Sequence, residues 1–529
     1  MSSTAVLGNR STRSHESVNP WIVAVAVMLG TFMEVLDTTV VNVALPHIAG
    51  NLSATVDETT WVLTSYLVSN AIILPMTGWL ANHFGRKRIL LTSVIGFTIS
   101  SLACGMAPSL ALLITFRVIQ GATGGGLQPL SQAIMMEAFP PEKRGKAMAF
   151  WALGIVVAPM LGPVLGGWLT DTYSWRWVFY VNLPVGILAT IMASLFIFDP
   201  PYIKKSSETV DYWGMGFLVI GMGALQIFLD KGQQDDWWAS DFIRLMCTLA
   251  VVGLFAFIVR ELMTKDPIVD LRVFSNRSYA MGVFMMTIIG FVLYGSTVLL
   301  PMWLQTLMGY PALQAGLAML PRGMGSFLFM PVVGILMGVF DPRKLLSVGL
   351  VVVASSFFLL GALNLQAGYW DIFFAQILQG SAMGLIFVPL STVTMDSIAK
   401  ERMGNATSIF NLMRNIGASV GIASVETILS RRTQANTNIL GANVTPYSQY
   451  SRQMLEGIAG AMHAAGSDLY TATQQSYGAV FAMVQQQAMM LAFIKCFRLL
   501  GIMFLCLLPL LLVMQKPSHM DKNGGGGVH

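Results

Sequence analysis

Long apolar stretches alternate with short polar ones along almost the whole chain of 529 residues. A helix that crosses a bilayer takes about 20 predominantly apolar residues, which is the length of these stretches. The pattern predicts fourteen membrane-spanning helices, near residues 22–45, 60–80, 88–107, 110–136, 148–170, 176–198, 212–230, 244–263, 280–303, 316–338, 344–364, 372–396, 406–429 and 490–514. The first stretch exceeds the h-region of a signal peptide, about 7–15 residues, and is predicted to remain as a span.

A repeat relates the two ends of the chain. Pro75-Met-Thr-Gly78-Trp-Leu80 recurs 256 residues later as Pro331-Val-Val-Gly334-Ile-Leu336, and Gln120-Gly121 recurs 259 residues later as Gln379-Gly380. Parallel repeats of six spans are typical of one large class of secondary transporters. The sequence therefore predicts an all-α polytopic membrane protein of two six-helix bundles, residues 1–200 and 271–529, with two inserted transmembrane helices in residues 201–270.

The connection before the last span is longer than the others. Residues 430–487 are rich in Gln, Ala, Ser and Met, and Met454, Ile458 and Met462 follow a helical spacing. This long outer loop is either an amphipathic hairpin or a loose segment. The glycine-rich C-terminal tail is predicted to be flexible.

Composition narrows the class of protein. The chain is 55% hydrophobic and 11% charged, with a mean hydropathy of +0.65, whereas soluble proteins carry about 25% charged residues. A soluble enzyme on a single anchor is excluded. The four cysteines show no metal-site or disulfide spacing, and the sequence motifs of ATPases, zinc hydrolases and serine hydrolases are absent. No cofactor, metal or enzymatic activity is predicted.

Positive charge predicts the orientation. The net charge is +5, and the basic residues form short clusters between apolar stretches, which favours a membrane protein over a nucleic-acid-binding one. If the N-terminus is cytoplasmic, 20 basic residues lie inside and six outside. This bias follows the positive-inside rule, so both termini are predicted to be cytoplasmic.

The first span contains two carboxylates. Glu34 and Asp37 are three residues apart and therefore share a helix face. Asp37 lies about 24 Å along the helix from Trp21, inside the ~30 Å hydrocarbon core. Since the span holds no basic residue, both are candidates for proton coupling, Asp37 first. The alternative is a structural pair bonded to neighbouring hydroxyls.

The fourth span contains an arginine, Arg117, with Gln120 and Gly121 on the same face. An arginine inside a membrane is costly and normally faces a cavity or a partner. Arg117 is therefore predicted to act in transport; the alternative is a side chain that snorkels to the interface. Three further polar residues are predicted to line the cavity: Asn42, Gln120 and Arg414.

Two glycine-rich motifs resemble signatures of the major facilitator superfamily. Between spans two and three the chain has Gly78, Asn82, Gly85, Arg86 and Lys87 at the spacing of the superfamily's cytoplasmic loop signature, with Asn82 in place of its aspartate. Charge-relay gating by that aspartate is therefore not implied. Span five holds Pro159, Gly162, Pro163, Gly166 and Gly167, which resembles the signature of antiporters, where it seals the cavity against proton leak.

A narrower resemblance comes from other spans. Leu36-Asp37-Thr-Thr-Val-Val-Asn42-Val-Ala-Leu-Pro46, the entry to span six at Trp175, and Asp211-Tyr-Trp-Gly214 resemble the fourteen-span drug:proton antiporter family of the EmrB/QacA type over about residues 22–430. The resemblance implies a proton-coupled multidrug efflux transporter of the bacterial inner membrane that exports hydrophobic, often cationic drugs. It also implies a periplasmic adaptor and an outer-membrane channel as partners.

Other functions remain open at this point. A dedicated exporter of a metabolite or fatty acid would use the same antiport mechanism. A sensor or channel is not favoured by the two-half repeat. The 12 Trp, 30 Phe and 35 Met residues supply adaptable apolar surface for promiscuous binding, although they could equally face lipid.

Overall fold

The computed structural model describes residues 19–199, 211–264, 267–445 and 447–512. Within these ranges the chain forms α-helices joined by turns and short 3₁₀ segments. The helices are α1 (Pro20–Asn51), α2 (Val56–Phe84), α3 (Arg86–Met106), α4 (Leu110–Gly124), α5 (Leu127–Ala138), α6 (Arg144–Thr172), α7 (Trp177–Tyr180), α8 (Asn182–Phe196), α9 (Tyr212–Lys231), α10 (Asp241–Met263), α11 (Arg277–Thr306), α12 (Ala312–Leu317), α13 (Leu320–Leu336), α14 (Pro342–Leu360), α15 (Tyr369–Asp396), α16 (Met403–Gly441), α17 (Gln449–Ala464) and α18 (Leu469–Cys506).

The predicted fold class is confirmed. Thirteen spans within the described ranges are long and apolar enough to cross a membrane. The fourteenth is α16, whose sequence is more polar because it carries Asn411, Arg414 and Asn415. It nevertheless packs along α11 inside the bundle. A Cβ atom at Gly417 or Gly421 would collide with the α11 backbone, so these glycines set the close approach of the two helices.

Several predicted spans are broken rather than continuous. The span from residue 110 to 138 breaks at Gly125 and Gly126, which separate α4 from α5. The sixth span breaks at Val181, so Asn182 begins α8. These breaks lie where polar side chains enter the interior, as described below.

The inserted helices occupy one of the two seams between the six-helix bundles. Helix α9 packs against α2 of the first bundle and α16 of the second, while α10 packs on α9. The Gln226 amide nitrogen donates to the Ser419 hydroxyl at 3.1 Å, and Thr64 donates to Asp230. The insert therefore fastens to both halves.

The halves also meet at the membrane face where α1 begins, which we call the N-terminal face. A Cβ atom at Gly78 of α2 would lie 2.7 Å from the Asn405 Cα atom of α16. The equivalent contact joins Gly334 of α13 to Lys146 of α6, with 3.2 Å from that Cβ to the Lys146 Cα atom. Arg144 and Asp396 form an ion pair at 3.5 Å across the same interface. The two halves are closed against each other at this face.

The long segment 430–487 is helical over most of its length. Helix α16 continues to Gly441, α17 follows, and α18 begins at Leu469, well before the predicted start of the last span at residue 490. Helices α17 and α18 pack together. Several predictions fall outside the described residues, namely the flexible tail and the basic residues Arg10, Arg13, Lys204, Lys205, Lys265, Lys516 and Lys522.

Candidate transport site

The structure places Asp37 in a buried ion pair with Arg117. The Arg117 Nη1 atom donates to Asp37 Oδ2 at 2.5 Å, and both side chains are fully buried. The other carboxylate oxygen accepts from Gln120 Nε2 at 3.1 Å and from Asn182 Nδ2 at 2.7 Å. Helices α1, α4 and α8 thus supply one charge-balanced cluster, in which every donor stabilises the ionised carboxylate.

Aromatic rings enclose the guanidinium. The Arg117 Cζ atom lies 4.1 Å from the centre of the Tyr66 ring and 5.8 Å from that of Phe179. The Arg117 Nε atom also donates to the Val62 carbonyl at 3.0 Å. The arginine therefore lies inside the bundle and does not snorkel to the interface.

Glu34 lies one helical turn away but has different partners. Its carboxylate accepts from Asn70 Nδ2 at 3.1 Å and from Gln128 Nε2 at 2.6 Å, and its side chain is 4% exposed. Neither donor is charged. Arg414 of the second half is linked to Glu34 through Gln128, because the Arg414 Nη2 atom donates to Gln128 Oε1.

The Glu34 cluster therefore crosses the boundary between the halves. A second cross-boundary bond lies beside it, from Asn411 Nδ2 to Gln132 Oε1 at 2.6 Å. Both bonds join α5 to α16. The break between α4 and α5 sets the direction in which Gln128 and Gln132 point.

The similarity of the sequence to a known protein family agrees with this architecture. The model of the Major Facilitator Superfamily matches residues 27–422 of the chain. The chain belongs to the major facilitator superfamily.

Curated relatives in the superfamily are similar over most of their length. The Multidrug export protein EmrB of Escherichia coli is 36% identical over 513 residues, covering 96% of this chain and 98% of the relative. EmrB of Haemophilus influenzae is 39% identical over 434 residues, covering 82% and 84%. The Fatty acid resistance protein FarB of Neisseria gonorrhoeae is 36% identical over 506 residues, covering 96% and 97%.

Solved structures share the fold at low sequence identity. A double-tryptophan mutant of XylE gives a TM-score of 0.59 at 16% identity, covering 94% of this chain and 96% of the other. The human organic anion transporter MFSD10 gives 0.58 at 15% identity, covering 93% and 99%.

The glycine and proline residues of α6 that resemble an antiporter signature lie directly against α1, the helix that carries the buried carboxylates. A Cβ atom at Gly162 of α6 would lie 2.5 Å from the Thr39 Cβ atom, and one at Gly166 would lie 2.8 Å from the Val40 carbonyl oxygen. Pro159 and Pro163 lie in the same helix, and Gly167 faces open space. The motif brings α6 against α1 within one turn of Asp37.

The superfamily's loop motif forms the turn between α2 and α3. Gly85 adopts a φ of 93°, which favours glycine. Arg86 is buried and pairs with Glu137, while the Lys87 ammonium donates to the Ser194 carbonyl at 2.6 Å. Asn82 is half-buried. This motif organises the N-terminal face, away from the carboxylates.

Sequence reasoning found some residues of these clusters and missed others. Gln120 belongs to the Asp37 cluster and Arg414 to the Glu34 cluster, whereas Asn42 is exposed and takes part in neither. Asn70, Gln128 and Asn182 were not singled out as site residues. Their polarity within apolar spans is a signal, but the partners depend on helix breaks that the spacing does not reveal.

The second half of this superfamily fold contains an uncharged copy of the Asp37 cluster. With the repeat offset of 259, Arg117 corresponds to Gln376 and Gln120 to Gln379. Gln379 Nε2 donates to the Ser296 hydroxyl at 3.5 Å, as Gln120 donates to Asp37. Ser296 is buried in α11, the counterpart of α1. The ion pair of the first half is thus replaced by neutral side chains.

Proposed function

We propose that this protein is a proton-coupled multidrug exporter of the bacterial inner membrane, a transporter and not an enzyme. The observation that carries the proposal is the pair of buried carboxylates in α1, one neutralised by Arg117 and the other bound by neutral amides. An intramembrane carboxylate exchanges a proton for a substrate by being neutral in one state and charged in the other. Similarity to the EmrB multidrug export proteins supports the choice of drugs as substrates.

Within this mechanism, Glu34 carries the proton. Protonation of Asp37 would leave the Arg117 guanidinium buried without a counter-charge, which is costly in a membrane. Protonation of Glu34 removes no ion pair, because its partners are the amides of Asn70 and Gln128. The contacts therefore shift the preference from Asp37 to Glu34, and Asp37 with Arg117 keeps the surrounding helices in place.

The proton on Glu34 is coupled to the boundary between the halves. Ionised Glu34 orients Gln128, whose side-chain Oε1 atom accepts from Arg414 of α16. A protonated Glu34 no longer attracts the arginine, so the bond between the halves weakens. Alternating access then follows as the halves rock against each other.

Apolar substrates have an apolar surface between the halves. Three clefts of about 250, 290 and 340 Å³ lie along the seam of α6 and α13, opposite the inserted helices. Phe150, Leu153 and Phe327 each line at least one of them. A molecule dissolved in the lipid could reach the interior along this seam.

The experiment uses drug-induced proton release. Ethidium added to the purified wild-type protein in weakly buffered detergent should release protons, and a pH gradient in proteoliposomes should drive ethidium export. Glu34→Gln should bind ethidium, release no protons and lose export, whereas the exposed-residue control Arg431→Gln should match the wild type. Proton release and gradient-driven export by Glu34→Gln would overturn this assignment.

The orientation belongs to the proposal as well. The positive-inside bias places the N-terminal face and both termini in the cytoplasm. A reporter inserted within residues 435–450 should read external, and one fused after Lys516 should read cytoplasmic. Both reporters on one side would contradict the fourteen-span topology.

A periplasmic adaptor and an outer-membrane channel are proposed as partners. The helical hairpin of α17 and the start of α18 exposes Tyr447 and Tyr450, which are 93% and 86% accessible. Exposed aromatic side chains are common anchors at protein interfaces. Deletion of about 30 residues from 430–487 should spare flux in proteoliposomes and abolish co-purification of the adaptor. Unchanged co-purification would remove this role.

A dedicated fatty-acid exporter is the second candidate. The relative FarB, named a fatty acid resistance protein, supports it. Flux of several unrelated dyes under one imposed pH gradient separates the candidates, because a dedicated exporter should move none of them.

A further inference from the structure

Another buried arginine, Arg322, lies in α13 of the second half. It is 7% exposed and about 12 Å from the start of its span at Gln314, within the hydrocarbon depth of the bilayer. Its one side-chain hydrogen bond within the described residues runs from Nη1 to the Thr297 hydroxyl at 3.3 Å. The guanidinium has five N–H donors, so most of its capacity is unused.

Arg322 also lacks a protein counter-ion. Among the described residues, the ion pairs do not include Arg322. Asp37 pairs with Arg117, Glu137 with Arg86, Asp396 with Arg144 and Asp211 with Arg260. The titratable side chain near its guanidinium is that of Tyr294. A cation at this depth without a counter-ion is costly, which marks it as a functional position.

The repeat shows what is unusual about this position. With the offset of 256, Arg322 corresponds to Tyr66, whose ring covers Arg117 in the first half. In the second half, Ser296 occupies the position of Asp37, and Gln376 occupies that of Arg117. Arg322 occupies the position of the aromatic residue Tyr66. Among the described residues of this half, no acidic side chain forms an ion pair with Arg322.

We propose that Arg322 binds the carboxylate of an amphiphilic organic acid, so that the substrates of this transporter include apolar weak acids. A guanidinium pairs with a carboxylate through two parallel hydrogen bonds. The apolar part has a place next to it, because the adjacent Gly323 lines the 340 Å³ cleft with Met160, Leu320 and Met324. This inference rests on the proposed export function and names one class of its substrates.

The test uses three probes with one tail and different head charges: dodecanoate, methyl dodecanoate and dodecyltrimethylammonium. Binding of each radiolabelled probe is measured on the purified full chain in nanodiscs. Arg322→Gln should weaken dodecanoate binding about tenfold or more, ~1.4 kcal/mol, and should leave the ester and the ammonium unchanged. Arg322→Lys should fall between, since the charge remains and the planar fork is lost.

A second variant leaves the arginine in place. Thr297→Asp puts a carboxylate beside the guanidinium and should also weaken dodecanoate binding selectively, whereas Thr297→Val should not. The surface control Arg431→Gln should match the wild type. An equal loss for all three probes, or unchanged dodecanoate binding in both Arg322→Gln and Thr297→Asp, would overturn the inference.

Export separates this inference from the proposed function. Gradient-driven export of the ammonium but not of dodecanoate by the wild type would refute the acid subsite alone. Export of none of the three probes, nor of ethidium, would refute the export function itself.

Discussion

The two halves of this transporter have a cluster of polar residues at equivalent positions, which is charged in the first half and uncharged in the second. In the first half, Asp37, Arg117 and Gln120 form a buried, charge-balanced cluster. In the second half, Ser296, Gln376 and Gln379 occupy the matching positions without charge. Arg322, in contrast, adds a cation where the first half has Tyr66. The first half pairs the charge of Asp37 with Arg117, whereas the second half leaves Arg322 without an ion pair among the described residues.

This difference teaches how one fold can divide two tasks. A self-neutral cluster can hold helices together through the cycle, whereas Glu34, the proposed proton carrier, has only neutral amides as hydrogen-bond partners. An unbalanced cation is suited to a charge that arrives with a substrate. The halves are equivalent, however, at the N-terminal face, where Gly78 and Gly334 make matching contacts.

The largest effect is expected where the ion pair is broken. Asp37→Asn leaves the Arg117 guanidinium buried without its counter-charge and should lower the free energy of unfolding by about 3–5 kcal/mol. The double variant Asp37→Ser, Arg117→Gln copies the uncharged cluster of the second half. It should recover most of that loss, as measured by thermal unfolding in detergent.

Export gives the second readout of the same pair. The double variant should remain folded and lose export if the charges take part in transport beyond holding helices. If Asp37→Asn were as thermally stable as the wild type, the ion pair would not contribute the stability that its contacts indicate.

A smaller effect is expected at the contacts that the halves share. Gly78→Ala would place a Cβ atom 2.7 Å from the Asn405 Cα atom, and Gly334→Ala would place one 3.1 Å from the Ala149 Cβ atom. Overpacking of this kind costs about 1–3 kcal/mol, here against the closed arrangement. Spin-label distances across the N-terminal face should lengthen more for Gly78→Ala than for Gly334→Ala. Equal or absent changes would contradict the difference in spacing.

The smallest effect is expected at the insert, which has a counterpart in neither half. Hydrogen bonds from Arg260 lower the pKa of Asp211, which caps α9 at the N-terminal face. Because the folded pKa is depressed, this stabilisation is complete at neutral pH and is lost as the pH falls below the ordinary aspartate value of about 4. The melting temperature of Asp211→Asn should therefore lie slightly below that of the wild type at pH 7, and the gap should narrow as the pH falls below about 4. A gap that widens with acid would refute this sign.

Sequence alone predicted the architecture because length and hydropathy decide it. Fourteen apolar stretches, the repeat and the glycine motifs were sufficient for the fold. Glu34, Asp37 and Arg117 could be selected because charges inside spans are rare. Their partners could not be selected, since Asn182 and Gln128 lie on other helices, just after breaks at Val181 and at Gly125–Gly126 that the apolar pattern does not show.

The helical hairpin of α17 and the start of α18 shows the opposite limit. The helical spacing of Met454, Ile458 and Met462 within residues 430–487 did not by itself exclude a loose loop. In the structure, helices α17 and α18 pack on each other, so this segment is a helical hairpin and not a loose loop. Arg322 received no role for a different reason, because its importance depends on the absence of an acid nearby, which only three-dimensional contacts reveal.

Helix α16 has a consequence for how the protein is made. Arg414, Asn411 and Asn415 make it too polar to partition into lipid by itself, since one arginine at a helix centre costs about 2.5–3.5 kcal/mol during insertion. The nascent chain must therefore deliver α16 to a membrane that already holds α11, whose surface receives Gly417 and Gly421. The residues that link the halves during transport thus make biogenesis of the second half a cooperative event rather than a sequence of independent insertions.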